Sequence, residues 1–121
     1  ALRPGIPGVS ENIRVRSVIG RFLEHSRIFY FYDDGAQHLY MSSADWMQRN
    51  FFRRVETCFP VLDPKLKKRV IKEGLDAYLS DNVQAWEMNA GGAFERKTPR
   101  RNTRLRCAQV ELLEELAKPV K

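Results

Sequence analysis

The chain has no apolar run approaching the roughly 20 residues needed to cross a bilayer, so a membrane-spanning helix is not expected. No secretory signal stands at the start. The opening Ala1-Leu2-Arg3-Pro4-Gly5 lacks an initiator methionine and reads as the interior of something longer, so a fragment of a larger protein is expected. Cysteine is scarce. Cys58 and Cys107 lie far apart and in no metal-ligand spacing, which predicts two reduced, mostly buried thiols in a cytosolic protein. There is no internal repeat and no low-complexity tract. Acidic residues are outnumbered: 15 Asp and Glu face 21 Lys and Arg, a net charge of +6 that predicts a polyanionic partner without specifying which. Much of the excess is arginine, whose guanidinium fork can bind two phosphate oxygens at once.

What is present suits one globular domain. A length of 121 residues is enough for a single domain with a real core and short for two, so residues 1–121 are read as one domain. Residues 3–9 hold two prolines and two glycines and are expected to form a loop. Residues 13–19 alternate apolar and basic and read as a half-buried strand, with a helix from Ser10 as the competing reading. Ile28-Phe-Tyr-Phe-Tyr32, Asp33-Asp34-Gly35 and His38-Leu-Tyr-Met41 read as strand, tight turn and returning strand. A short helix is expected over 44–50 after a serine cap at Ser42-Ser43, with Trp46 and Met47 in the core, then a strand over 54–59.

Asp63-Pro64 opens the clearest helix, with Asp63 as N-cap and Pro64 at the first position; it ends at Ser80-Asp81-Asn82. A strand over 83–86, a loop over 89–93, and a last helix from Asn102 or Thr103 to Pro119 complete the reading. The class is α/β, a mixed sheet flanked by helices, with the hairpin ends forming a site at one edge.

That edge carries the most informative residues. His25 and Arg27, at alternate positions of one strand, would share a face. The returning strand would deliver Ser42 and Ser43 at a helix start. Imidazole, guanidinium, hydroxyls and helix N-terminal amides would then converge, a combination suited to a phosphoryl oxygen.

His25-Ser26-Arg27-Ile28, the Asp-Asp-Gly turn and Ser42-Ser43-Ala44-Asp45-Trp46 resemble the histidine-lysine motif and following Gly-Ser-x-Asn segment of the phospholipase D superfamily. Arg27 stands where that superfamily has lysine, Tyr32 where it has aspartate, and Ser42 and Asp45 where it has Gly and Asn. A closer resemblance is to the C-terminal domain of bacterial polyphosphate kinase. It rests on residues 2–13, on Gly20-Arg-Phe-Leu-Glu-His25 and on Ser43-Ala-Asp-Trp-Met47-x-Arg-Asn50-x-x-x-Arg54, in that order and spacing. It continues through the Asp63-Pro64 helix to the helix holding Ala108 and Gln109, essentially the whole chain.

The resemblance implies a phospholipase D-like half-domain, the last of four domains of an enzyme that reversibly moves the terminal phosphate of ATP onto polyphosphate. The phosphorylated histidine, a nucleotide-contacting arginine and the Mg²⁺-contacting positions would lie upstream of this chain, with ATP or ADP as substrate and no metal ligand here. His25 matches the family's second active-site histidine, which makes it the catalytic candidate. Arg27, Ser43 and Arg54 become candidates for ATP or phosphate. Arg27 has surface pairing with Glu24 or Asp45 as its alternative, and Arg54 has a cross-strand ion pair with Glu56. Asp45 suits orientation of His25 or Arg27 better than direct contact, because a carboxylate repels phosphate. Arg49 and Asn50 follow the family pattern and suit contact with the chain-like substrate and a helix surface equally, which makes Arg49 a candidate for the polyphosphate path. His38 matches no family motif.

Arg100, Arg101 and Arg104 sit in the densest basic segment, which suits either a polyphosphate path or a solvated loop. Cations at a helix start oppose the dipole, a hint that an anion sits there. The expected partners are ATP, polyphosphate and upstream domains of the same enzyme, in a homo-oligomer. The expected location is cytoplasmic, with peripheral attachment to the inner membrane as a variant. The isolated chain is expected to fold without kinase activity. Two rivals remain. One is a non-catalytic module for nucleic acid or another polyanion, disfavoured because consecutive Phe29, Tyr30, Phe31 and Tyr32 must point at least half inward and make no clean stacking platform. The other is a phosphodiesterase half-site, which lacks its lysine at position 27.

Overall fold

The computed structural model describes residues 2–119. In chain order the elements are β1 (Arg16–Val18), β2 (Arg27–Asp33), β3 (Ala36–Ser42), α1 (Gln48–Arg53), β4 (Cys58–Pro60), α2 (Pro64–Val70), a π-helical turn (Ile71–Asp76), α3 (Ala77–Leu79), β5 (Ala85–Met88), β6 (Phe94–Arg96) and α4 (Ala108–Leu116). The α/β class expected from the sequence holds. The strands, however, form two separate antiparallel sheets, β1-β5-β6 and β2-β3-β4, rather than one mixed sheet. The chain accordingly divides into two compact units. One is Leu23–Asp76, and the other joins the segment through Phe22 to the chain from Ala77 onward.

In the Leu23–Asp76 unit, β2 and β3 form a hairpin whose register runs from Arg27 opposite Ser42 to Asp33 opposite Ala36. Asp34 and Gly35 make the two-residue turn with φ of 40° and 95°, the left-handed pair that matches strand twist. β4 pairs only with Tyr40, Met41 and Ser42 of β3. The hairpin beyond Tyr40 is therefore a two-stranded ribbon, and Tyr30, Phe31 and Tyr32 are exposed, where half of the aromatic run was expected to point inward. Leu39 is the buried centre of this sheet, and its carbonyl accepts the Val61 N–H at 2.8 Å. Asp63 caps α2 as expected: its Oδ1 accepts the N–H groups of Lys65 and Leu66, both at 2.8 Å. Gly74, in the π-helical turn, lies so close to β2 that a Cβ there would stand 2.2 Å from Cδ1 of Ile28.

In this unit one helix start, one strand and two expected burials differ from expectation; the strand expected over 54–59 is β4, Cys58–Pro60. The first helix is α1, starting at Gln48 instead of Ala44; Met47 precedes it without a side-chain cap. The serines instead bind the opposite segment: Ser43 N–H donates to Thr57 O at 3.0 Å, and Ser42 Oγ donates to the same oxygen at 2.9 Å. Trp46 and Met47, expected in the core, are 72% and 47% exposed, and Trp46 stacks on Phe29 with ring centroids 5.2 Å apart. Cys58, expected to be buried, is exposed on the edge strand β4.

In the other unit, the expected strand over 13–19 shortens to the three residues that find partners, Arg16, Ser17 and Val18 opposite Glu87, Trp86 and Ala85. Ser10 organises the preceding loop: it is buried, its Oγ donates to Arg3 O at 2.6 Å and accepts the Ile6 N–H at 3.0 Å. The Asn89–Ala93 segment is the turn between β5 and β6, a strand the sequence did not announce; Asn89 Oδ1 accepts the N–H groups of Gly91 and Ala93.

The last helix starts at Ala108, not at Asn102 or Thr103. Asn82 ties residues 104–106 down outside any helix, donating from Nδ2 to Arg104 O and accepting the Arg106 N–H on Oδ1. The anion at the α4 start is the protein's own. Asp81, fully buried, accepts the Ala108 N–H on Oδ2 at 2.8 Å and the Val83 and Gln84 N–H groups on Oδ1 at 3.0 and 2.7 Å. No helix among the described residues is long and apolar enough to cross a membrane.

Candidate functional site

The residues singled out at the hairpin end all belong to the Leu23–Asp76 unit. The expectation that His25 and Arg27 share one strand face is corrected, because β2 begins at Arg27 and His25 precedes it in exposed, irregular chain. What links them is a hydrogen bond from Arg27 Nη1 to the His25 carbonyl at 2.5 Å. Arg27 Nε donates to Asp45 Oδ1 at 2.9 Å. The pairing of Arg27 with Ser42 in the ladder makes this possible, since it sets the guanidinium beside the loop that follows β3.

Asp45 is the centre of the group. Its hydrogen bond from Arg27 is the largest influence holding its carboxyl below the ordinary value of 3.8, and the charges of Arg27, Arg49 and His25 act in the same direction. Arg27 is thus the contact partner of this carboxylate, and Arg49 and His25 act on it through charge alone. The Asp45 backbone is held as well. Its carbonyl accepts the Met47 N–H at 2.8 Å and Nδ2 of Asn50 at 3.0 Å. Asn50 is 4% exposed, so the residue read as a helix-surface or substrate contact is an internal anchor. Its place in a short helix among exposed neighbours left no periodic signal for this.

Ser43 serves the loop. Its Oγ donates to Glu56 Oε2 at 2.6 Å and accepts the Thr57 N–H at 3.1 Å. Glu56 therefore meets Ser43 rather than the cross-strand arginine considered for it. Arg54 is exposed at the C-cap of α1 and makes no ion pair with a described residue, so its guanidinium is available to an outside anion. Arg100, Arg101 and Arg104 lie in the other unit, all exposed; Arg104 approaches Glu111 at 4.0 Å, and Arg106 binds the same carboxylate at 3.0 Å.

Among the described residues no group of three or more His, Cys, Asp and Glu side chains is placed to hold a metal ion. The nearby carboxylates, Asp45 and Glu56, face Arg27 and Ser43. The described residues do not fit a resident Mg²⁺.

The chain is similar in sequence and fold to known proteins. Residues 1–109 match the family model "Polyphosphate kinase C-terminal domain 2". Polyphosphate kinase of Pseudomonas aeruginosa is 61% identical over 119 residues, which is 98% of this chain and 17% of that protein. Polyphosphate kinase of Burkholderia multivorans is 58% identical over 113 residues, 93% of this chain and 16% of that protein. The crystal structure of polyphosphate kinase from Porphyromonas gingivalis superposes with a TM-score of 0.84 at 37% identity, covering 94% of this chain and 17% of that one. The chain thus spans about one sixth of the length of the relatives it matches. On the sequence match and the shared fold together, the chain belongs to the polyphosphate kinase C-terminal domain 2 family.

Proposed function

We propose that this chain forms one wall of the phosphoryl-transfer site of a polyphosphate kinase, in which the terminal phosphate of ATP is reversibly exchanged with polyphosphate. The chain would be one piece of a longer cytoplasmic polypeptide, whose other parts supply the phosphorylated histidine and any Mg²⁺. The observation that carries the reading is the contact path at the hairpin end, where Arg27 binds both the Asp45 carboxylate at 2.9 Å and the His25 carbonyl at 2.5 Å and His25 itself is exposed. Phosphoryl transfer asks a protein chiefly for positioning and for neutralisation of charge on oxygen. His25 can donate a hydrogen bond to a terminal phosphate oxygen or manage a proton as the group leaves. Arg54 and Arg49 supply cations, and Ser43 fixes the loop beside them. The exposed Arg100, Arg101 and Arg104 support an electropositive track for the polymer, whose charge density resembles that of nucleic acid.

The test is His25→Ala in a full-length polyphosphate kinase carrying this segment. The expected result is a fall in kcat of about 100-fold or more, the range of a lost acid–base group, with a thermal midpoint within a few degrees of the parent. Undiminished activity in a normally folded variant would remove His25 from the reaction.

A further inference from the structure

Arg27 looks at first like a phosphate ligand, yet two of its three guanidinium nitrogens are directed elsewhere. We propose that Arg27 and Asp45 form a positioning pair that holds the His25 backbone in place. This deepens the reading given above for the same site and rests on it. The observations form one connected path. Asn50, almost fully buried, donates from Nδ2 to the Asp45 carbonyl. The Asp45 carboxylate accepts from Arg27 Nε at 2.9 Å. Arg27 Nη1 reaches the His25 carbonyl at 2.5 Å.

The need for such a path is local. Residues 23–26 are exposed and belong to no strand or helix, so no ladder fixes the histidine. Arg27 is the first residue of β2 and is fixed by the ladder opposite Ser42, which makes it the last rigid point before His25. A guanidinium can bridge a carboxylate on one edge and a carbonyl on another because its donors are rigidly splayed. A lysine ammonium in the same place keeps the charge and loses the two-sided geometry. Asp45 also offsets the charge of Arg27, which makes this arginine less suited to holding phosphate than Arg49 or Arg54.

The substitutions that test this are Arg27→Lys, Asp45→Asn and Asp45→Glu, in full-length polyphosphate kinase for kinetics and in this chain for histidine order. A positioning role predicts that Arg27→Lys and Asp45→Asn lower kcat by about tenfold to a hundredfold, the cost of a misplaced group, while KM for ATP changes less than about threefold. Asp45→Glu should recover part of the loss. A rise in KM with kcat held, or full activity in Arg27→Lys, would overturn the proposal, because the arginine would then act as a ligand or as a bare charge.

The second readout needs no activity. This chain has only two histidines, so the ring signals of His25 can be followed by NMR with His38 as internal control. Asp45→Asn should narrow the His25 ring signals toward those of a freely mobile ring and leave His38 unchanged. Unchanged His25 order would overturn the positioning pair whatever the kinetics. Full activity of the His25→Ala enzyme would instead overturn the functional reading and leave the NMR result to judge the pair alone.

Discussion

Removing the Asp81 carboxylate should disable one unit of the chain more thoroughly than any change at the candidate site. Asp81 is fully buried and satisfies three backbone donors at once, Val83 N–H at 3.0 Å, Gln84 N–H at 2.7 Å and Ala108 N–H at 2.8 Å. It joins the end of α3 to the turn before β5 and to the first residue of α4. Asp81→Ala leaves all three donors without a partner, at about 1–3 kcal/mol each. Some relief by entering water places the total near the lower end, about 4 kcal/mol, a large share of the roughly 5–15 kcal/mol that holds a domain together. In a chain of this size that corresponds to a fall of about 15 °C in thermal midpoint.

Asp81→Asn keeps the shape and one acceptor oxygen, so it should cost about 2 kcal/mol, with the amide NH₂ now facing a donor. Urea unfolding followed by far-ultraviolet circular dichroism, with the slope checked for change, measures both. A loss below about 1 kcal/mol for Asp81→Ala would show that water or the chain re-satisfies these donors and that the triple contact is not a keystone.

Gly20→Ala would place a Cβ 2.2 Å from Oε1 of Gln109, the buried amide that accepts the Phe22 N–H at 3.0 Å and donates to the Phe22 carbonyl at 2.8 Å. Displacing it should cost about 1–3 kcal/mol in the same urea assay. Acid should weaken the chain through Asp45 and Glu87. Lys97, followed by Arg16, holds Glu87 below its ordinary value of 4.5, as Arg27 holds Asp45 below 3.8. Both shifts are downward, so their contribution is complete above the unfolded-state values and is lost as pH falls through the lower folded-state values. Urea midpoints between pH 7 and pH 2.5 should therefore decline below about pH 4.5, and Glu87→Gln with Asp45→Asn should flatten that decline. An unaltered acid limb in the double variant would assign it to other carboxylates.

The parts of the fold that were legible in the sequence are those fixed by local chemistry. Asp34-Gly35 required left-handed backbone and made the hairpin; Asp63-Pro64 required a helix start and made one. Misreadings occurred where a side chain distant in sequence settled the backbone. Asn82 ties residues 104–106 down outside any helix, and nothing in Arg104-Leu105-Arg106 itself forbids helix. The Ser42-Ser43 pair resembled a helix cap, but the chain at Glu56 and Thr57 offered it better partners. Of the site, a contact of Asp45 with His25 or Arg27 in preference to phosphate could be argued from the repulsion between carboxylate and phosphate. That its partner is Arg27 follows from the register that sets Arg27 opposite Ser42. Burial of Asn50 was invisible because Phe51 and Phe52 beside it are the exposed residues, the reverse of ordinary polarity.

Each compact unit contains one tryptophan, and the two sit in different surroundings. Trp46 is stacked on Phe29 yet 72% exposed, while Trp86 is half-buried on the central strand of the β1-β5-β6 sheet. The chain therefore carries one tryptophan per unit, the first expected to emit toward the red and to meet a soluble quencher, the second to emit further to the blue and to be partly shielded. Replacing Trp46 with phenylalanine leaves a tryptophan signal, excited selectively at the red edge, that belongs wholly to the other unit, so the unfolding of that unit can be followed without attaching a dye.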